Sequence, residues 1–331
     1  MNCEIQPIEL QLERNFIIAG GGVSTKKNCL FVIDNLGIGE GAGSVHYGAA
    51  PEQIELELAY AADEINRHQT SIAEFIIAKA GSFSSQAICA ISTAYSDYLS
   101  KKEKIPLYEF YRLRKPDPKQ TSITVSIGDF AAINEFVDLG YKSLKIKLDD
   151  NKEHGQEIIN VINKSTGVSF RVDANESWSP EFAAYFIASV DNSKIELIEQ
   201  PFSNKDIDAW IAVKELSDIP IFMDESIDTP SDVDRVKEYV DGINIKIQKS
   251  GRLENTIATL RRAQECNLKT LLGCMIESSV GISTAFHLSS LADYIDLDGR
   301  LLLKGDIFRG LEYRDGFLEI QETKGHGIVF A

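Results

Sequence analysis

Five charged residues lie at nearly even intervals in the middle of the chain, each at the end of an apolar, β-branched stretch: Lys147, Asp173, Glu199, Asp224 and Lys246. The intervals are 26, 26, 25 and 22 residues, the length of one strand, one helix and two short loops. In a β/α barrel the C-terminal ends of the strands meet at one end, and the chemistry takes place there. The spacing therefore predicts one site that contains three carboxylates and two lysines.

The three carboxylates end the segments RVD, LIE and FMD, which are consecutive strand candidates. Hard oxygen ligands that converge from neighbouring strands suit an octahedral Mg²⁺. A buried carboxylate is costly unless a cation compensates its charge. Each acid alone could instead be a helix N-cap, but three in phase favour a metal site.

The lysines suggest acid/base chemistry. Lys145 and Lys147 are two residues apart on a strand, so their side chains share one face. Inside a barrel, repulsion and burial would lower the pKa of at least one of them, which suits a general base; on an edge strand both would simply be solvated. The second and sixth barrel strands face each other, so Lys147 and Lys246 should approach a substrate from opposite sides. Two such bases could racemise or epimerise a carbon next to a carboxylate, with Mg²⁺ stabilising the enediolate charge.

The pattern around these residues predicts a barrel preceded by a separate α+β unit. The strand candidates of the barrel are eight in number, more than an open doubly wound sheet usually has: residues 122–127, 143–148, 168–173, 195–200, 219–224, 242–247, 269–274 and 294–298.

Before the barrel, residues 3–13 and 29–34 read as strands, and GGGVSTKKN between them reads as a hairpin connection or mobile loop. A helical pattern follows from 51 to 99, and KPDPKQ at 115–120 is the linker candidate. We therefore expect a capping domain at 1–118 and a catalytic (β/α)7β barrel at 119–304. Residues 305–331 carry only short strand signals and are expected to return to the capping domain.

The composition excludes several classes of protein. With 34 basic and 50 acidic residues the net charge is −16, which argues against nucleic-acid partners and anionic membrane surfaces. Five cysteines without a CxxC pair indicate neither a disulfide framework nor a zinc site. The start lacks a signal-peptide pattern, and no run approaches the ~20 apolar residues of a membrane span. We expect a soluble, cytoplasmic protein; whether it forms a homo-oligomer stays open.

The segments LKIKL, RVDANESW, LIEQP, MDES and INIKIQKSG resemble the muconate-lactonising subgroup of the enolase superfamily over nearly the whole chain. The set of motifs is far more specific than any one of them. The resemblance implies a role for each matching residue: Asp173, Glu199 and Asp224 as Mg²⁺ ligands, Lys147 and Lys246 as acid/base catalysts, Lys145 as an electrostatic helper near the substrate carboxylate, and Asn175 and Glu225 as supporting residues.

The eighth strand candidate adds a second motif. Asp296-Leu297-Asp298 places two carboxylates on one face and resembles the DxD signature of dipeptide epimerases, in which the pair binds the free α-ammonium of the substrate. A DxD tripeptide elsewhere would usually be a solvated turn. The same resemblance implies that Thr124 and the segment Cys274-Met275-Ile276 line the substrate pocket, although Thr124 could be an ordinary strand residue and Cys274 a packed thiol.

The resemblance therefore implies a Mg²⁺-dependent epimerase that inverts the C-terminal α-carbon of a dipeptide, with Ala-Glu as the leading substrate. N-acylamino acid racemase, o-succinylbenzoate synthase and cycloisomerase are the alternatives within the subgroup, and a non-catalytic metal-binding barrel is a remote third reading.

The capping loop departs from the family pattern. Epimerases for Ala-Glu commonly carry an arginine there, whereas this chain has Gly20-Gly21-Gly22-Val23-Ser24-Thr25-Lys26-Lys27. Either Lys26 or Lys27 supplies the cation, or the second side chain of the substrate is not acidic. Glu40-Gly41-Ala42-Gly43 could form a second lid edge, but tight turns are favoured, and His46 and Tyr47 next to it could reach a substrate.

Overall fold

The structure is a computed structural model that describes residues 1–18, 21–44, 47–314, 316–321 and 323–331. Its N-terminal part is an antiparallel sheet of three strands, β1 (Cys3–Ile18), β2 (Gly21–Ile33) and β3 (Gly37–Ala42), in that order. The helices that follow are α1 (Pro51–His68), α2 (Ile72–Lys79), α3 (Ser85–Glu103) and the short α4 (Leu107–Phe110). The predicted α+β unit is confirmed.

The glycine-rich segment before Asn28 differs from the prediction. Instead of a loop, residues 21–28 belong to β2 and pair with β1, from Asn28 opposite Ile8 to Gly21 opposite Ile18. The register shifts once, between Gln11 and Phe16. Glycine is depleted in strands, so the glycines and lysines here favoured a loop, but a ladder needs only backbone donors and acceptors. Of the predicted loop, Gly20 lies outside the described residues.

The glycines around Glu40 have a packing role. The fully buried β3, which packs on α3, contains Gly39 and Gly41, so these two glycines form neither a tight turn nor a lid edge; Gly43 directly follows the strand. A Cβ atom on Gly39 would be 2.1 Å from the carbonyl oxygen of Ala90 in α3. Strand and helix can approach this closely only because the glycines have no side chain.

The barrel is an eight-stranded parallel sheet in sequence order, closed by a bridge between Thr121 and Ile295. All eight predicted strands are present, with ends within two residues of the predictions: β5 (Ile123–Val125), β6 (Ser143–Lys147), β7 (Ser169–Asp173), β8 (Ile195–Glu199), β9 (Ile221–Met223), β10 (Gly242–Lys246), β11 (Lys269–Gly273) and β12 (Tyr294–Asp296).

Helices connect these strands, as the βα repeat requires. They are α5 (Ala132–Asp138), α6 (Lys152–Lys164), α7 (Pro180–Ser189), α8 (Ile207–Leu216), α9 (Pro230–Val236), α10 (Ile247–Ser250), α11 (Leu253–Glu265) and α12 (Ser279–Phe286). None of the helices in the described ranges is long and apolar enough to cross a membrane.

The C-terminal segment contacts both parts of the molecule. Its strands are β13 (Phe308–Arg309), β14 (Glu312–Arg314), β15 (Phe317–Glu319) and β16 (Val329–Phe330), and β15 pairs with β4 (Lys119–Gln120) in the predicted linker. Near α3, the His326 amide donates to Asp97 Oδ1 at 3.0 Å. The division at residue 118 and the return of 305–331 to the capping domain stay predictions.

The capping part and the barrel share an apolar interface. Buried side chains of the N-terminal sheet, among them Leu10 and Leu30, pack against Ile276 and Val280, which follow β11, and against Leu303. This contact holds the N-terminal sheet over the C-terminal ends of the barrel strands, because the removal of apolar surface from water is favourable.

Candidate active site

The five charged residues of the repeat all lie at one end of the barrel. Lys147, Asp173, Glu199 and Lys246 are the last residues of β6, β7, β8 and β10, and Asp224 directly follows β9. Lys147 is the direct neighbour of Asp173 in the sheet, and Asp173 is the direct neighbour of Glu199. All five side chains are buried, so the predicted convergence occurs.

Lys145 lies among three carboxylates. Its Nζ is 2.9 Å from Asp173 Oδ2, 2.9 Å from Glu199 Oε2 and 2.8 Å from Asp296 Oδ2. Burial alone would lower the pKa of Lys145, but the surrounding carboxylates outweigh it and raise the pKa well above its ordinary value. A lowered pKa was predicted for at least one of Lys145 and Lys147; for Lys145 it is raised, because three carboxylates lie within 2.9 Å of its ammonium group.

The two outer lysines have similar surroundings. Lys147 Nζ donates to Asp173 Oδ2 at 2.6 Å and to Asn175 Oδ1 at 3.0 Å. Lys246 Nζ donates to Asp224 Oδ2 at 2.6 Å and to the Tyr47 hydroxyl at 2.9 Å. Each ammonium group thus has one carboxylate and one neutral oxygen as partners.

Polar groups that the sequence reasoning missed hold the acids in place. Lys249 Nζ donates to Asp224 Oδ1 at 2.7 Å, and the Asn244 amide donates to Glu199 Oε1 at 2.8 Å. The Gln200 side chain accepts from the backbone N–H of Asp224 at 2.8 Å. A signal for Asn244 was present, because it lies two residues before Lys246 on the same strand and therefore on the same face.

The predicted supporting residues, Asn175 and Glu225, are hydrogen-bonded to each other, and Asn175 also contacts Lys147. Asn175 accepts from Lys147 through Oδ1, and its Nδ2 donates to Glu225 Oε1 at 3.0 Å. Asn175 has a positive φ of 44°, a conformation that asparagine tolerates better than most residues. The turn after β7 can therefore direct the amide back toward the strand end.

The donor atoms for a metal ion are oxygens. Among the described residues, no group of three His, Cys, Asp or Glu side chains has the arrangement of a metal site. Instead, lysine ammonium groups pair with the three predicted ligands. Glu199 Oε2 is buried without a hydrogen-bond partner, although Lys145 Nζ is 2.9 Å away. Burial and the charges of Asp173 and Asp224 raise the pKa of Glu199 to about 8. A buried carboxylate oxygen without a hydrogen bond, next to two further acids, suits Mg²⁺, which would compete with the lysines for these oxygens.

The two aspartates of the DxD motif meet the first barrel strand. Asp296 Oδ1 accepts from the Ser122 hydroxyl at 2.6 Å, and its other oxygen contacts Lys145. Asp298 Oδ2 accepts from the backbone N–H of Thr124 at 2.7 Å. Burial and the charge of Asp296 raise the pKa of Asp298 to about 6. Both carboxylates face the same cavity as the lysines.

That cavity has a volume of about 500 Å³ and lies between the barrel and the N-terminal hairpin. A volume of this size is in the range of small-molecule sites. All the predicted catalytic and substrate-binding residues line it, together with the supporting residue Asn175: Lys145, Lys147, Lys246, Thr124, Cys274, Met275, Ile276, Asp296 and Asp298. The predicted metal ligands and Glu225 are not part of this lining.

The hairpin of β1 and β2 forms the opposite wall. Phe16, Ile18, Val23 and Lys26 line the cavity, whereas Lys27 is exposed and does not. The Lys26 ammonium donates to the carbonyl oxygen of Gly43 at 3.1 Å, and no carboxylate in the described part of the chain pairs with it. Burial lowers the pKa of Lys26. In the described part of the hairpin, this wall is apolar apart from one partly desolvated cation.

Asn28 and Glu40 connect the N-terminal sheet to the cavity wall. The Asn28 amide donates to the Ile276 carbonyl oxygen at 3.0 Å, and Glu40 Oε2 accepts from the Ser278 hydroxyl at 2.6 Å. Glu40 also accepts from the Gly281 N–H in the first turn of α12 at 3.2 Å, where a helix favours negative charge. The N-terminal sheet thus holds the end of the pocket segment at Ile276 and the turn that follows it. Of the predicted lid residues, His46 lies outside the described residues.

Comparisons with known proteins agree with this arrangement. The family model described as enolase C-terminal domain-like matches residues 130–331. An L-Ala-D/L-amino acid epimerase of Maribacter sp. is 31% identical over 88% of each chain. A hydrophobic dipeptide epimerase of a Flavobacteria bacterium is 32% identical over 73% of this chain and 72% of that protein.

A solved structure gives the same result at the level of the fold. The dipeptide epimerase from Cytophaga hutchinsonii, complexed with Mg and the dipeptide D-Ala-L-Val, superposes with a TM-score of 0.91 at 25% identity and covers 99% of this chain and 95% of that chain. The resemblance inferred from the motifs is confirmed: the chain belongs to the dipeptide epimerases, in the muconate-lactonising subgroup of the enolase superfamily.

Proposed function

We propose that this enzyme epimerises the C-terminal α-carbon of a dipeptide by a two-base 1,1-proton transfer. The observation that carries the proposal is the pair of buried lysines, Lys147 and Lys246, which end opposite barrel strands and line one cavity with carboxylates between them. One lysine removes the α-proton from its side of the substrate. The other returns a proton on the opposite side, and the configuration inverts.

Mg²⁺ held by Asp173, Glu199 and Asp224 would neutralise the negative charge that develops on the substrate carboxylate as the proton leaves. The protein's own groups do the rest. Lys145, already in contact with two of these acids, adds positive charge next to that carboxylate. Burial of Lys145 and of the three acids strengthens each of these charge interactions.

Asp296 and Asp298 would bind the free α-ammonium group of the dipeptide. Asp296 is already paired with Lys145, so Asp298 is the carboxylate with more capacity for a substrate cation. An N-acylated amino acid has no ammonium group and would leave this buried carboxylate without a cation, at a cost in free energy. This argument favours a dipeptide over the substrate of an N-acylamino acid racemase.

For the second side chain we propose an acidic group, as in Ala-Glu, because of Lys26. Its ammonium reaches the cavity with a single carbonyl partner, so a carboxylate on the substrate would gain a charge-assisted hydrogen bond there. Lys27 cannot supply this contact, because it is exposed and outside the cavity lining.

A second candidate is a dipeptide with an apolar second side chain. The specific observation in its favour is the lining by Phe16, Ile18, Val23 and Met275, which could bury such a side chain at roughly 25 cal/mol per Å². The names of the relatives include both amino-acid-general and hydrophobic dipeptide epimerases, so both candidates must be assayed.

The proposal is tested by incubating the enzyme in D₂O with Mg²⁺ and the dipeptides Ala-Glu, Ala-Gln and Ala-Leu. We expect solvent deuterium at the C-terminal α-carbon together with the appearance of the other epimer, measured by NMR and chiral chromatography. An acidic preference predicts Ala-Glu over Ala-Gln, which has nearly the same shape without the charge. If a wider panel of dipeptides acquires no α-deuterium, the proposed reaction is wrong.

A further inference from the structure

The partners of the two outer lysines differ in origin. Lys147 receives both its partners, Asp173 and Asn175, from the barrel strand next to it and the turn that follows. Lys246 receives its carboxylate from Asp224 in the barrel, but its neutral oxygen belongs to Tyr47, which lies in the N-terminal part between β3 and α1. One base is therefore oriented by the barrel alone, and the other depends on the capping domain.

The Tyr47 side chain contacts Lys246 in two ways. Its hydroxyl accepts from Lys246 Nζ at 2.9 Å and donates to Asp224 Oδ2 at 3.0 Å. The face of its ring lies 4.9 Å from the same ammonium group, measured to the ring centre. A cation over an aromatic face at this distance is attracted electrostatically. Both contacts hold the end of a long, flexible side chain that would otherwise have several rotamers.

The carboxylate cannot orient Lys246 by itself. Asp224 also pairs with Lys249 through Oδ1 at 2.7 Å, and in the proposed function it is a ligand of Mg²⁺. Its attraction for Lys246 is thereby shared with other cations. The hydroxyl of Tyr47, which has no charge to share, is the partner that can fix the direction of the ammonium toward the cavity.

We propose that Tyr47 is a positioning residue for Lys246, as Asn175 is for Lys147, so that the capping domain orients one of the two bases. This inference rests on the proposed function, because it assigns Tyr47 to the half-reaction in which Lys246 removes or returns the α-proton. Tyr47 itself carries no proton between the substrate and the solvent.

A two-base enzyme allows this assignment to be tested one base at a time. In D₂O, a base can remove the α-proton of the epimer whose hydrogen faces it and return deuterium to the same side. The variant Lys246→Ala should therefore lose exchange in one epimer and retain it in the other, and Lys147→Ala should show the reverse. These two variants identify which epimer belongs to which lysine.

The test variant is Tyr47→Phe, which keeps the ring and removes the hydroxyl. We expect α-exchange in the epimer that belongs to Lys246 to fall about ten- to a hundredfold, the usual effect of losing a hydrogen bond to a charged group. Exchange in the other epimer should change less than about threefold. Tyr60→Phe is the matched control, because Tyr60 lies on the half-exposed surface of α1, outside the cavity lining.

An equal loss in both epimers would overturn the inference and assign Tyr47 a general structural role. Calorimetric measurement of the Kd for Mg²⁺ separates the structural role from the positioning role. A structural role through Asp224 would weaken Mg²⁺ binding in Tyr47→Phe, whereas a role in positioning Lys246 would leave the Kd within about threefold of the wild-type value. An unchanged variant would overturn the inference as well. If wild-type enzyme exchanges neither epimer of any dipeptide, the proposed function itself fails.

Discussion

The two walls of the cavity are built in different ways. On the barrel wall, charged side chains stand at strand ends, and the three lysines each have a carboxylate within hydrogen-bond distance; Lys147, for example, is only 7% exposed. On the hairpin wall the residues are mostly apolar, Val23 is 38% exposed, and Lys26 has one carbonyl partner. The barrel wall can hold reacting atoms in fixed positions, whereas the hairpin wall can change its side chains without disturbing them.

The physical reason lies in the cost of burying charge. A buried ammonium or carboxylate is tolerated only with close partners, so replacing one member of the barrel network disturbs the others. The hairpin rests on the barrel largely through backbone hydrogen bonds and exposed ion pairs, such as the Ile17 carbonyl oxygen that accepts from the Ile127 N–H at 3.1 Å, and these contacts do not depend on buried charge. We therefore expect changes on the barrel wall to abolish catalysis and changes on the hairpin wall to alter selectivity.

The largest expected effect is the loss of either base. Lys147→Ala and Lys246→Ala should each reduce epimerisation about a thousandfold or more, because a positioned acid/base group contributes about 10²–10⁴-fold and neither lysine can replace the other. Lys269→Ala is the control, since Lys269 is exposed at the opposite end of β11. Steady-state kinetics with both epimers measure the effect. Full activity in either lysine variant would remove the two-base mechanism.

A smaller loss is expected at the ammonium site. Asp298→Asn keeps an oxygen that can accept from the Thr124 N–H but removes the charge, so kcat/KM for a dipeptide should fall about ten- to a hundredfold. Asp218→Asn, on an exposed surface before β9, is the control. An N-acetylated dipeptide, which has no ammonium group, should respond much less. If both substrates lose the same factor, Asp298 acts on the barrel structure and not on the ammonium.

A substitution on the hairpin wall should change the selectivity between dipeptides. Lys26→Met should lower kcat/KM for Ala-Glu about tenfold, the value of one charge-assisted hydrogen bond, and leave Ala-Leu within about twofold. Lys27→Met is the matched control, because Lys27 is adjacent in sequence but exposed. The kcat/KM ratio of the two dipeptides is the measurement. A ratio that stays the same in Lys26→Met would favour the apolar second side chain.

The smallest effect is expected where the hairpin is attached. Arg14 on β1 pairs with Asp129 at 3.2 Å and with Glu135 in α5, but these side chains are 38–52% exposed. Exposed ion pairs contribute about 0–1 kcal/mol, so Arg14→Ala should raise KM at most about fivefold and leave kcat unchanged. The difference should vanish in high salt. Arg262→Ala is the control, because it removes one surface pair with Asp234 in α9 and one with Glu265 within α11. A fall in kcat for Arg14→Ala would mean that the hairpin also orders the reacting groups.

The barrel was predictable because its signal is local and repeated. Each strand is a short apolar run, and each of Asp173, Glu199 and Lys246 comes at the end of one, so the period alone predicts which side chains converge. The hairpin was not predictable in the same way. Residues 21–28 carry glycines and lysines without strand character, and only pairing with β1 makes them a strand.

The partners of the functional groups show the same limit. Lys147 and Asn175 belong to one motif and neighbouring strands, so their relation follows from the sequence. Lys246 and Tyr47 are 199 residues apart, and nothing near either one indicates the other. The raised pKa of Lys145 likewise depends on Asp296, 151 residues further along the chain.

The sequence by itself determined the barrel, the end at which its charges meet and the family to which the chain belongs, because these depend on periodicity and on short motifs. The tertiary structure alone decided how those charges pair, which lysine of the hairpin enters the cavity and that Tyr47 contacts Lys246. The physical reason is that hydrogen bonds and ion pairs are short-ranged, so they are set by side chains that only the folded chain brings within about 3 Å of each other.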